Sequence, residues 1–315
     1  MIETINRIRT EIAKTIVGHD TLIDGLLIGL LCDGHILIEG IPGLAKTTTV
    51  KALSQTLGLT FKRVQFTPDL LPSDILGAEV YDPQNNGFKI KKGPIFTNLL
   101  LADEINRAPA KVQSALLEVM QERQVTLGEE SFALPPPFLV LATQNPIENE
   151  GVYPLPEAQL DRFMLKIKVG YNTPQEELTI ARRVASSTYE TISSVVDAPM
   201  LEQLKTAVRA IHIDEEVENY IITLVQATRN LEAFGLGEMA KYLQFGASPR
   251  VSIDLFKASR AAAFLRGKNF VSPSDIIGIL KASMRHRLVL SYEAEAEGID
   301  VDTLIEAVVK AIPVP

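Results

Sequence analysis

Apolar residues recur at helical spacing at Ile5, Ile8, Ile12 and Ile16, and again at Leu22, Ile23, Leu26, Leu27 and Leu30. Val17, Gly18, His19 and Asp20 break the two stripes, and Asp20 is placed to cap the second helix. Ile36 to Ile38 is an apolar run too short for a helix, bounded by Gly34 and Gly40, which predicts a strand covered on both faces. Val50, Leu53 and Leu57 then return to helical spacing, and Phe61 to Phe66 predicts the next strand. A polar segment from Asp69 to Gly77 leads into a hairpin over Ala78 to Ile90, where Asn86 before Gly87 predicts a two-residue turn. Leu99 to Ala102 is a buried strand that ends in Asp103 and Glu104. Pro109 opens a helix at its first turn, with Val112, Leu116, Val119 and Met120 on one face. A second hairpin is expected over Gln124 to Leu134, a buried strand over Phe138 to Thr143, and a short helix from Pro156 that closes with Asp161, Arg162 and Phe163.

Leu165, Ile167 and Val169 alternate with Lys166 and Lys168, as in a half-exposed strand, and beyond Gly170 the strand signals stop. Thr173, Ser248 and Ser272 each place a capping hydroxyl before a proline. Stripes such as Leu201, Leu204, Val208 and Val217, Ile221, Leu224 follow. A chain of 315 residues is long for one core, so an α/β domain over residues 1–170 and a helical domain over 171–315 are expected.

Composition narrows the setting. Hydrophobic content of 46% with 22% charged residues describes a globular protein, and the run from Leu26 to Cys32, bracketed by Asp24 and Asp33, is too short to span a membrane. Glu3 and Glu11 interrupt an N-terminus with no apolar core for a signal peptide. Cys32 is the single cysteine, which fits a buried inert thiol and a reducing cytoplasm. Net charge of -8 and a pI near 5.2 argue against a broad nucleic-acid surface. The four histidines lack metal-ligand spacing and are read as structural.

The chemistry gathers on Gly40 to Thr47, a glycine-rich turn between a strand and a helix. Such a turn aims backbone N–H groups and the positive end of a helix dipole at one point, which suits a polyphosphate. Lys46 would reach the outer phosphates and the Thr47 hydroxyl would hold Mg²⁺. Ala45 stands where a second glycine is usual, and its methyl group leads us to expect a negative φ there. A plain strand-to-helix turn competes with this reading, so it needs independent support. Asp103 and Glu104 provide it, because two acids at a buried strand end are costly without a cation. Asp103 can hold Mg²⁺ through water and Glu104 can activate the attacking water. The strand ending at Thr143 brings Gln144 and Asn145 to the same edge, where open α/β sheets bind ligands.

These residues carry a resemblance to a family that covers nearly the whole chain. The stretches GIPGLAKT at Gly40, TPDLLPSDILG at Thr67, LLLADEINRAP at Leu99, ATQNP at Ala142, LPEAQLDRF at Leu155 and GASPR at Gly246 resemble, in order, the motifs of MoxR-type ATPases of the AAA+ superfamily. The resemblance implies a P-loop AAA+ core with a five-stranded parallel sheet, an all-helical C-terminal lid, and a hexameric ring with ATP and Mg²⁺ between subunits. It implies nucleotide contacts at Val17, Gly18, Gly40, Pro42, Gly43, Leu44, Ala45, Lys46, Thr47 and Thr48, and metal contacts at Thr47 and Asp103. Asn145 is similar to the sensor 1 residue, Arg162 to the arginine finger given to a neighbour, and Arg250 to the sensor 2 arginine. Residues 67–95 resemble the helix 2 insert, whose hairpin faces the pore in related machines. Each has a plainer alternative: Asn145 as a turn cap, Arg162 as a surface partner of Asp161 or Glu157, and Lys89, Lys91 and Lys92 as a solvated face.

The expected function is an ATP-hydrolysing ring that remodels protein partners, with von Willebrand factor A domain proteins and metalloprotein maturation implied by the resemblance. A DNA motor like the minichromosome maintenance helicases and a nucleotide-gated scaffold without turnover are the alternatives, opposed respectively by the net acidity and by the intact Glu104 and Arg162.

Overall fold

The computed structural model describes residues 1–147, 151–186 and 190–315. Helices α1 (Ile2–Ala13) and α2 (Asp20–Leu31) precede β1 (Ile36–Glu39) and α3 (Lys46–Thr56). Then come β2 (Phe61–Gln65), α4 (Pro72–Leu76), the hairpin of β3 (Gly77–Asp82) and β4 (Gly87–Lys92), β5 (Leu99–Asp103) and α5 (Ala110–Glu122). A second hairpin of β6 (Gln124–Leu127) and β7 (Glu130–Ala133) is followed by β8 (Leu139–Gln144), α6 (Glu157–Leu160) and β9 (Leu165–Lys168). The remainder is α7 (Pro174–Ala185), α8 (Ala198–Arg209), α9 (Glu215–Ala227), α10 (Gly237–Ala240), β10 (Leu243–Phe245), α11 (Pro249–Leu265), α12 (Pro273–Met284), β11 (Val289–Leu290), α13 (Tyr292–Glu297) and α14 (Val301–Ala311).

Strands β2, β5, β8, β1 and β9 form one sheet in that order, and every pair in it is parallel. Alternation along the strands divides the core into two layers. Ile36, Ile38, Leu99, Leu101, Leu139 and Leu141 face α1, α2, α3 and the C-terminal helices. Leu37, Leu100, Ala102, Val140 and Ala142 face α5 and the second hairpin. Both faces are covered, which is why the central strands read as continuous apolar runs.

Four local expectations give way. Asp20 does not cap α2: the helix begins at Asp20 itself, after His19 in the left-handed region at φ 59°, so the carboxylate lies in the first turn and meets the dipole instead. Pro109 likewise precedes α5 as its cap residue. The first hairpin closes between Asp82 and Gly87 through a four-residue loop, with Asn86 at φ 44°, and not through a two-residue Asn-Gly turn. Asp82 accounts for this, since its carboxylate accepts from the Gln84 N–H at 3.2 Å and from Asn85 Nδ2 at 3.0 Å and so organises the longer loop. The C-terminal part is not wholly helical either, because β10 and β11 pair as a short antiparallel ribbon too brief to leave an alternation signal. Of the insert lysines, Lys89 pairs with Asp82 at 3.2 Å and Lys92 sits over the rings of Phe96 and Phe132 at 4.9 and 4.5 Å.

Two of the four histidines, His35 and His286, are buried and hydrogen-bonded to the backbone. His35, buried just before β1, donates from Nε2 to the Met120 carbonyl at 2.9 Å and accepts the Val140 N–H at Nδ1, also at 2.9 Å. It therefore ties the end of α5 to β8 and must stay neutral to do so. Burial pushes its pKa down to about 4, and burial pushes His286 well below the ordinary histidine value as well. A histidine depressed in the fold takes up its proton first in the unfolded chain, so stability holds above pH 6.5 and falls as pH drops from about 6.5 towards 4. For His35 the loss approaches about 3 kcal/mol. Chemical denaturation at a series of pH values should show this slope, and His35→Gln should be less stable at pH 7 but have a shallower slope. An unchanged slope in that variant would contradict the assignment.

Candidate nucleotide site

The parallel sheet brings three strand ends to one edge. β1 feeds the loop from Gly40 to Ala45, β5 ends in Asp103 and Glu104, and β8 ends beside Asn145. Pro42, Gly43, Leu44, Ala45, Lys46, Thr47, Thr48, Asp103, Glu104 and Asn145 line one cavity of about 350 Å³, together with Arg63. A larger cavity of about 580 Å³ lies on the other side, against α2, β9 and α12. It has no glycine-rich loop, and the basic residues that line it, Lys168, Arg266, Lys281 and Arg285, are paired with acids.

Two positions in the loop take left-handed backbone angles: Gly43 at φ 86° and Ala45 at φ 52°. The expectation of a negative φ at Ala45 is thus overturned. Ala45 is the residue from which α3 starts, and a left-handed turn there lets the chain reverse from the strand into the helix. For a residue with a Cβ this costs about 1 kcal/mol, and such strain gathers at ligand sites. Lys46 donates from Nζ to the Gly40 carbonyl at 2.5 Å, across the mouth of the loop. Partial burial lowers its pKa, opposed by Asp103 and Glu104.

The two acids are held differently. Asp103 accepts from the Thr143 hydroxyl at 2.5 Å on one oxygen, and from Arg63 Nε and Nη2 at 2.9 and 2.6 Å on the other. Glu104 sits at φ 55°, donates its backbone N–H to Thr143 Oγ1 at 2.9 Å, and accepts from Gln65 Nε2 at 2.6 Å. Asn145 is buried, and its Oδ1 accepts the Ile147 N–H at 3.2 Å, so it caps a turn and lines the cavity at once. Thr47 and Asp103 supply the hard oxygens that Mg²⁺ prefers, on the wall of the cavity that holds Lys46. Among the described residues no group of three or more His, Cys, Asp or Glu could hold a metal by itself. A magnesium ion here would draw its other oxygens from phosphate and water.

Other expected residues stand apart. Gly40 lies behind the cavity, where its N–H donates to the Gln144 carbonyl at 3.2 Å. Val17 and Gly18 pack on the start of α7, with Asn172 Nδ2 donating to the Val17 carbonyl at 3.0 Å and a Cβ on Gly18 meeting Glu176 at 2.5 Å. Nearby, His19 Nε2 is buried without a hydrogen-bond partner. Arg162 and Arg250 both line a different cavity, also of about 350 Å³, between α5 and α11. Arg162 donates from Nη1 to the Leu117 carbonyl at 2.6 Å, and Arg250 lies 3.8 Å from Asp161.

The sequence pattern alone does not single out Arg63, Gln65 and Thr143. The usable signal is register: β2 pairs with β5 so that Gln65 is level with Asp103, and Arg63 lies two residues back on the same face.

The ATPase family associated with various cellular activities (AAA) matches residues 35–165, and the AAA lid domain matches residues 238–308. The chain is 46% identical to Chaperone MoxR1 of Mycobacterium tuberculosis, over 100% of this chain and 83% of that protein. It is 31% identical to Protein MoxR of Methylorubrum extorquens, over 98% of this chain and 94% of the relative. A crystal structure of a candidate ATPase from Cytophaga hutchinsonii superposes with a TM-score of 0.94 at 46% identity, covering 100% of this chain and 96% of that one.

Two expectations follow for the loop. Ala45→Gly relieves the left-handed strain but gains flexibility in the unfolded chain, so we expect a net stabilisation of about 0.5 kcal/mol with ATP affinity within a few-fold. A lower melting temperature would contradict the strain. Lys46→Ala should abolish ATP binding, whereas Glu104→Gln should bind ATP and lose about 10²-fold or more in turnover. Equilibrium binding and phosphate release measure both, and near-normal affinity in Lys46→Ala would remove the phosphate-loop assignment.

Proposed function

The chain belongs to the MoxR family of AAA+ ATPases, and from that premise we propose that its ATP is hydrolysed at a site completed between two copies. The nucleotide-binding unit spans residues 1–170 with an insert at about 67–95, and the lid spans residues 171–315. The reading is carried by a separation: Arg162 and Arg250 share one cavity, while Lys46, Thr47, Asp103 and Glu104 share another. Cations that stabilise phosphoryl transfer serve no purpose away from phosphate, so a second copy must bring them to it.

In the complete site the loop N–H groups and Lys46 bind the phosphates. Thr47 and Asp103 would hold Mg²⁺, which would supply positive charge against the charge that develops on the phosphates. Glu104 orients the attacking water and accepts its proton, and Asn145 holds the water and the terminal phosphate in line. Arg162 and Arg250 of the neighbour meet the charge that grows on the transferred phosphoryl. The ring is a hexamer that acts in the cytoplasm on protein clients, among them von Willebrand factor A domain proteins during metalloprotein maturation. The insert hairpin supports a protein client, because Tyr81 and Phe88 are 51% and 70% exposed at its end with ring centroids 5.6 Å apart. Aromatic side chains left in water in this way suit a protein contact.

An arginine finger is typically worth about 10³ to 10⁵ in rate. Arg162→Ala should bind ATP and hydrolyse it poorly. Mixed with Lys46→Ala it should regain activity, since intact phosphate loops of one then meet intact fingers of the other. Phosphate release by each variant and by the mixture, with assembly checked by sedimentation, tests this. A mixture that forms rings yet stays as inactive as its parts would overturn the trans role.

A further inference from the structure

Asp161, the residue before Arg162, is a point on which the C-terminal helices converge. Ser248, the cap of α11, donates from Oγ to Asp161 Oδ1 at 2.8 Å. Arg287, just past the end of α12, brings Nε to 3.0 Å from the same oxygen and donates from Nη2 to the Asp161 carbonyl at 2.9 Å. His286 donates from Nε2 to the Phe163 carbonyl at 2.7 Å. Two successive residues of the C-terminal part therefore hold the backbone carbonyls on either side of Arg162.

The Arg287 side chain is 1% exposed and also contacts Asp254 of α11 and the Ser283 carbonyl. A guanidinium presents its donors in a rigid planar fork, and here they donate to one carboxylate and two carbonyls on three segments, while Nε, without a hydrogen-bond partner of its own, lies in ion-pair contact with the Asp161 carboxylate. A buried charge of this kind is weak as a source of stability and strong as a fixer of geometry. Around Arg162 geometry is what matters, because misplacing a catalytic group by about 1 Å can cost 10²-fold in rate.

We propose that Arg287, together with His286, is a positioning residue that fastens the Arg162 segment to the lid, so that the finger offered to a neighbour is set by the lid of the subunit that offers it. This rests on the reading of Arg162 as a finger supplied in trans. Arg287 lines neither the cavity of the phosphate loop nor that of Arg162 and acts through Arg162. Lid movement on nucleotide binding in one subunit would thereby reach the active site of the next.

Arg287→Lys keeps the charge and removes the fork. The protein should assemble, bind ATP within about three-fold of the parent, and lose about 10²-fold in kcat. Mixed with Lys46→Ala it should regain activity, because its own phosphate loops then meet well-placed fingers. A role confined to general stability would lower both binding and turnover and would not be rescued in trans. Should Arg287→Lys fail to assemble, Asp161→Asn weakens the same anchor from the other side by removing the carboxylate charge while the carbonyl contact stays, and should give the same split between binding and kcat to a smaller degree. A parental kcat in the assembled variant overturns the proposal, and so does a loss of kcat that Lys46→Ala subunits do not rescue. Arg162→Ala run alongside separates the two readings: if it turns over normally the finger reading fails, and if it alone is inactive only the positioning role of Arg287 fails.

Discussion

Parallel pairing is the constraint on which the rest of this molecule depends. Because β1, β5 and β8 run the same way, their carboxyl ends fall on one edge, and residues as far apart in the chain as Pro42 and Asn145 meet around a single cavity. A parallel sheet needs a helix over each face to cover it, and those helices form the two hydrophobic layers. Fold and site therefore have one cause. Any slip of β5 by one residue would turn Asp103 from its neighbours and send Leu100 and Ala102 to the wrong layer.

At that edge the chain concentrates features that cost free energy elsewhere. Ala45 and Glu104 hold left-handed angles without being glycine, and Asp103 is a mostly buried acid. Thr143 is the common support, giving its hydroxyl proton to Asp103 and accepting the N–H of Glu104. Arg63 and Gln65 on the edge strand β2 hold the two carboxylates from the other side. The acids are thus fixed before phosphate arrives, which is the preorganisation that phosphoryl transfer requires.

Much of this could be read in the residues, because strands buried on both faces announce themselves as apolar runs and the chemistry sits at their ends. Leu99 to Ala102 followed by Asp103 and Glu104 is legible for that reason. Arg63 and Gln65 were not, since polar residues on an edge strand look the same whether they face water or a neighbouring strand end, and only register tells them apart. The left-handed angle of Ala45 was expected with the opposite sign, because intrinsic preference argued for negative φ and the reversal from strand to helix outweighed it. The ribbon of β10 and β11 leaves no alternation to read, since its longer strand is Leu243–Phe245, three residues. The convergence of Ser248, Arg250 and Arg287 on Asp161 joins parts of the chain that no local pattern links.

The central claim is that one chain carries half of each of two active sites, with the phosphate loop on one surface and Arg162 with Arg250 on another. Its most direct test is turnover per subunit in saturating Mg-ATP as total protein is raised through the range where sedimentation shows assembly. The account predicts that turnover per subunit rises with the assembled fraction and is near zero for the isolated chain. Constant turnover per subunit down to concentrations at which the protein is monomeric would contradict it.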